Sequence, residues 1–87
     1  MTKAIYRPEY DIFLRVLKKY RLEAGLTQEQ CSSALNRPQS FMSDVERGSR
    51  RLDIIQLRDL CRVLGRDLPS LIVDFEKAIE SGSQHSN

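Results

Sequence analysis

An all-α fold, a compact bundle of five helices in a single domain, is what this 87-residue sequence predicts. Three features predict it. Apolar residues recur at three- and four-residue spacing through most of the chain. Capping patterns open these stretches, as in Thr27 with Gln30 and Asp53 with Gln56, and Gly25, Gly48 and Gly65 follow their ends. No pair of alternating segments joined by a turn signal reads as a β-hairpin.

The first helix is expected after Pro8 and through Ala24, with Phe13, Leu14, Leu17, Tyr20 and Ala24 on its apolar side. Gly25 closes it. Thr27 then caps a short second helix whose inward positions are Cys31, Ala34 and Leu35, with Glu29, Ser32 and Ser33 elsewhere. Asn36 tolerates the left-handed conformation of a helix end, and Pro38 biases Arg37 away from the α region, so the chain turns there. Pro38 is expected to begin the third helix, which runs to about Val45 with Phe41, Met42 and Val45 inward. Gln39, Ser40, Ser43 and Asp44 fall on its other side. After a polar loop, Asp53 caps a fourth helix with a stripe of Ile54, Leu57, Leu60, Cys61 and Leu64, stopped by Gly65. A fifth begins near Asp67 with Pro69 in its first turn and carries Leu68, Leu71, Ile72, Phe75 and Ile79. The organisation is an N-terminal arm over 1–8, a domain over 9–80 and a flexible tail over 81–87.

Composition excludes several classes. Hydrophobic residues at 40% and charged residues at 30% suit a globular protein without a membrane span, which needs a run of roughly 18 apolar residues. No apolar stretch before a small-residue cleavage site marks export, so the cell interior is expected. Cys31 and Cys61 sit far apart at apolar positions and His85 stands alone near the end, so neither a metal site nor a cofactor is expected. With no glycine-rich phosphate loop either, no catalytic constellation can be assembled, and the chain does not read as an enzyme. A net charge of +2 is weak information, but Arg37, Arg47, Arg50 and Arg51 cluster around the third helix. They are either phosphate ligands or a solvated basic loop. Arg58, Arg62 and Arg66 are expected to form the solvated face of the fourth helix.

Thr27 to Gly48 therefore reads as two short helices across a tight turn, a helix-turn-helix, whose second helix offers an amide, hydroxyls and a carboxylate to a polar partner. Gly25, Leu26, Thr27, Gln28, Glu29, then Gln39, Ser40, Met42, Ser43, and finally Glu46, Arg47 and Gly48 match a spaced pattern. By these residues the chain resembles the Cro/repressor-type (XRE-like) helix-turn-helix family over roughly Tyr10 to Leu71. The resemblance implies a lambda-repressor-like bundle. It also implies that Arg21 pairs with Glu46, an arginine and a glutamate that without it would read as two exposed charges.

What the resemblance implies for function is sequence-specific binding of double-stranded DNA by a transcriptional regulator, a repressor acting as a homodimer on a palindromic operator. Base reading falls to Gln39, Ser40, Ser43 and Asp44, and phosphate contact to Thr27, Gln28, Arg37, Arg50 and Arg51. Asp44 departs from the family, which often has Lys, Arg or Gln there: it repels phosphate, accepts from cytosine N4, or pairs with Arg47 or Arg37. Pro38 stands where the family has a Ser or Thr cap, and Ser32 where it has Ala, so Ser32 needs a backbone partner if buried. Ile72, Phe75 and Ile79 form a stripe that can meet a symmetry mate. The expected location is the cytoplasm of a bacterium, for a chromosomal or phage-encoded protein, on the nucleoid when bound. The alternative is a protein-interaction module or antitoxin of the same fold whose main partner is a protein.

Overall fold

In the computed structural model, which describes residues 7–85, the chain forms α1 (Pro8–Glu23), α2 (Gln28–Ala34), α3 (Phe41–Arg47), α4 (Ile54–Val63) and α5 (Leu68–His85). No strand occurs among the described residues, and no helix among them is long and apolar enough to cross a membrane. Most of the expected N-terminal arm lies outside the described residues, as do the last two residues of the expected tail; the backbone of 81–85 continues α5.

Local chemistry sets the helix ends. Pro8 occupies the first turn of α1, where its missing N–H loses no helical bond, and Glu9 and Asp11 there and Arg21 in the last turn suit the helix dipole. Both capping boxes are formed: Thr27 Oγ1 accepts from Gln30 N at 3.0 Å, and Asp53 Oδ1 from Gln56 N at 2.8 Å. Asn36 turns the chain out of α2 in the left-handed region, with φ of 58°. Gly48 ends α3 with φ of 85°, and a Cβ there would stand 3.3 Å from Leu14 Cδ1, so the turn lies tight against α1.

The elements pack as α1 against α5 and α3, α2 against α3, and α4 against α5. Leu17, Cys31, Met42, Val45, Leu60, Cys61 and Leu71 are fully buried where they meet, with Tyr20, Phe41, Leu57 and Leu64 around them. Both cysteines are free thiols, and burial pushes both pKa values up.

Four expectations about the core need correction. Ala24 caps α1 and is exposed. In α2 the inward arc is Cys31, Leu35 and Ser32, not Ala34. At about 100° per residue Ala34 falls on the far side of Cys31 from Ser32, and the arc's centre lies between the latter two. Ile54 is 59% exposed, because Leu52 from the preceding loop packs against the core at that end and the buried stripe of α4 starts at Leu57. Lastly, Pro38 does not begin α3. Its carbonyl accepts from Phe41 N at 2.9 Å, so residues 38–40 form a tight turn ahead of the helix, which then runs two residues beyond Val45.

Candidate nucleic-acid interface

The inward face of α3 is apolar, so Ser43 and Asp44 are left off it, and the question is what fixes their direction. Three connections do so. At its start, Ser32 from α2, itself fully buried, accepts the Met42 N–H at 3.0 Å through Oγ and donates to the Gln39 carbonyl at 3.4 Å. The residue at the helix's own cap position, Ser40, makes no side-chain cap bond. Ser32, ten positions before the Met42 whose N–H it accepts, thus takes the place of the cap displaced by Pro38. Periodicity places Ser32 away from the core, but its departure from the family's Ala asks for a backbone partner if it is buried, and the Met42 N–H and the Gln39 carbonyl are those partners.

At the other end of α3, Glu46 is the centre of a network. Arg21 donates to it through Nε at 2.7 Å and Nη2 at 3.1 Å, and Gln28 Nε2 donates to Glu46 Oε1 at 2.9 Å. Arg21 Nη1 also holds the Leu26 carbonyl at 2.9 Å. The two charged side chains are 8% and 7% exposed, so the pair is withdrawn from solvent. The Glu46 hydrogen bond raises the Arg21 pKa against the opposing effect of burial. This ties α1, the start of α2 and the end of α3 into one frame. No buried side-chain nitrogen or oxygen among the described residues lacks a partner.

The third connection is the exit loop. The Asp44 carbonyl accepts from Ser49 N at 3.0 Å, Arg50 N at 3.2 Å and Ser49 Oγ at 3.2 Å. The loop is folded back on the helix.

The predicted DNA-facing residues are distributed as follows. Thr27, Gln28, Glu29, Pro38, Gln39, Ser40 and Ser43 line one shallow, open depression between the start of α2 and the turn into α3. Gln39 and Ser40 are exposed and their side chains make no hydrogen bond among the described residues, although both precede the helix rather than sit on it. Ser43 is half-buried and donates to the Ser40 carbonyl at 3.1 Å. Asp44 is half-buried and accepts from the Arg47 guanidinium through Oδ1, so of the three fates open to it in sequence the Arg47 pair is the one present here. The Gln28 amide is engaged with Glu46, and the Thr27 hydroxyl with its capping box.

The arginines separate into two places. Arg37 and Arg50 both lie by the Phe41 ring, with guanidinium carbons 5.4 and 5.1 Å from its centroid. Arg51 points elsewhere, 4.2 Å from the Tyr10 centroid. There it borders an apolar groove between α1 and α5 that holds Phe13 and all three residues of the expected stripe, Ile72, Phe75 and Ile79. Phe13 and Phe75 meet edge to face at 5.5 Å, and Ile72 is 45% exposed. No group of three or more His, Cys, Asp or Glu suited to a metal occurs among the described residues.

A family model described as a helix-turn-helix domain matches residues 12–71. Among solved structures, the chain is similar to an XRE-family like protein from Pseudomonas syringae pv. tomato str. DC3000. The identity is 41%, over 87% of this chain and 93% of that one, with a TM-score of 0.77. It is similar as well to the wild-type restriction-modification controller protein C.Esp1396I, at 30% identity over 85% of this chain and 97% of that one, with a TM-score of 0.76. The clp gene regulator ClgR from Corynebacterium glutamicum has the same fold, with a TM-score of 0.76 at 17% identity over 92% of this chain and 86% of that one. No curated protein matches.

Proposed function

The chain belongs to the XRE-like helix-turn-helix family of DNA-binding regulators, and from that premise we propose that it is a sequence-specific regulator of transcription that represses as a homodimer on a palindromic operator. The observation that carries the reading is the depression between α2 and α3, where the unbonded side chains of Gln39 and Ser40 stand beside the Thr27 and Gln28 end of α2. An amide and a hydroxyl so placed suit base edges in a major groove: Gln39 pairs with adenine N6 and N7, and Ser40 donates or accepts. Ser43 and Asp44 read neighbouring positions, Asp44 through the carboxylate oxygen that Arg47 leaves open to cytosine N4.

Gln28 contacts phosphate through its backbone N–H at the start of α2 and Thr27 through its hydroxyl hydrogen, its own N–H being held by Gln30 Oε1 at 2.9 Å, and Arg37, Arg50 and Arg51 add charge. Ile72, Phe75 and Ile79 meet their copies in the dimer, which presents two α3 helices about 34 Å apart on one DNA face. Such a protein works in the cytoplasm, on the nucleoid.

Selection of binding sites from random duplexes at low salt tests this. A palindromic consensus, relaxed at one position by Gln39→Ala, is the expected result; a folded protein that enriches no sequence overturns it. A second reading, in which the main partner is another protein, is favoured by the exposure of Ile54, Ile55 and Val73, at 59%, 64% and 50%. It predicts a stoichiometric protein complex and DNA affinity indifferent to Gln39→Ala.

A further inference from the structure

Arg37 and Arg50 stand on opposite sides of α3 in the chain, one before it and one after, yet both guanidinium groups rest against the ring of Phe41, its first residue. The two centroid distances together cap the separation of their guanidinium carbons at about 10.5 Å. At about 3.4 Å of axial rise per phosphate along a strand, that reach covers about three phosphate-to-phosphate steps at most. Both backbones are anchored as well: Arg37 N donates to the Ser32 carbonyl at 3.0 Å and Arg50 N to the Asp44 carbonyl at 3.2 Å. No carboxylate among the described residues forms an ion pair with either arginine, whereas Arg7, Arg21, Arg47 and Arg66 each have one. Two like charges within that distance and without a counter-ion favour an anion that spans both.

We propose that Arg37 and Arg50 form one two-guanidinium site for neighbouring phosphodiesters of a single DNA strand, with Phe41 as the positioning residue that holds both side chains in place. The proposal rests on the DNA-binding reading and deepens it: two contacts that sequence places 13 positions apart act as a unit. Phe41 is only 5% exposed, and its ring serves the core on one side and the arginines on another. Ordering the side chains before DNA arrives removes part of the entropy cost of binding. Arg51, stacked on Tyr10, lies outside the unit.

The test is a set of binding isotherms on a selected duplex across salt concentrations, for wild type, Arg37→Ala, Arg50→Ala, the double variant, Arg51→Ala, Phe41→Leu and Phe41→Tyr. Each loss of Arg37 or Arg50 is expected to reduce the salt slope by about 0.9. Their effects on affinity are expected to be coupled, the double variant losing at least threefold less than the product of the single losses, while Arg51→Ala multiplies with either. Phe41→Leu is expected to weaken all sequences about threefold at an unchanged slope, as loss of cation–π positioning implies, and Phe41→Tyr to restore binding. Independent effects of Arg37→Ala and Arg50→Ala overturn the proposal, as does wild-type affinity for folded Phe41→Leu. If Phe41→Leu does not fold, the arginine cycle decides alone, since neither arginine belongs to the core. Wild-type protein that binds no duplex removes the DNA reading and this site together. Binding that loses specificity with Gln39→Ala but shows independent arginines removes only the site.

Discussion

Replacing Ser32 with Ala removes one oxygen, and the structure fixes what that oxygen does. It is fully buried and accepts the Met42 N–H at 3.0 Å, so the substitution leaves a buried donor at the start of α3 without a partner. An unsatisfied group of this kind costs about 1–3 kcal/mol, of which we take about 2. The companion bond to the Gln39 carbonyl is long at 3.4 Å and adds little. Alanine returns about 0.5 kcal/mol through its better helix propensity. The net expectation is destabilisation by about 1.5 kcal/mol, which for a domain of this size lowers Tm by about 6–12 °C. Ser33→Ala is the reference: the same substitution in the same helix at an exposed position isolates the propensity gain. Urea and thermal unfolding of both variants measure the difference. If Ser32→Ala lies within about 0.5 kcal/mol of Ser33→Ala, Ser32 is not the cap of α3 and the account of that helix fails.

The remaining predictions concern other parts of the molecule. Glu46→Ala strands a buried guanidinium and is expected to cost about 3 kcal/mol in urea unfolding, while the double substitution Arg21→Met with Glu46→Met costs less than that single one. Because burial raises both thiol pKa values in the folded state, the neutral thiols contribute stability that is fully present below the ordinary thiol value of 9.0. That stability is lost as pH rises past 9.0 toward the folded values. Urea midpoints at pH 8 and pH 10 are expected to show the fall, and Cys31→Ala with Cys61→Ala to flatten it. Ile72→Glu is expected to turn a sedimenting dimer into a folded monomer and to weaken binding to a full palindrome far more than to a half-site; a dimer that survives it places the interface elsewhere.

What was legible in the sequence was local. The capping boxes of Thr27 with Gln30 and Asp53 with Gln56 are each written within four residues, and both are formed. Helix number, the turn at Asn36 and the inward positions of Phe41, Met42 and Val45 followed from spacing and turn chemistry. What was not legible depends on how α2 crosses α3. Ser32 reaches Met42 and Gln28 reaches Glu46 only once the two helices are set at their angle, and nothing in the periodicity of either reveals it; Arg50 reaches Phe41 because the exit loop folds back on α3. The start of α3 was missed for a related reason: Pro38 suits a first helical turn and a tight turn equally well, and its contact with Phe41 N decides for the latter. Arg51 shows the limit of reading charge from clustering, since its neighbour Arg50 joins α3 while it joins Tyr10.

Fastening α3 at both ends leaves a seven-residue helix with almost no freedom of its own, held by Ser32 at one end and by Arg21 and Gln28 through Glu46 at the other. A reader that cannot bend transfers the work of fitting to what it reads. On the proposed reading of a duplex by α3 and the turn before it, groove width and local twist adjust to the protein, and sites whose untouched central steps deform easily are expected to bind more tightly than stiff ones with identical contacted bases. Flexibility of the operator then becomes part of its address.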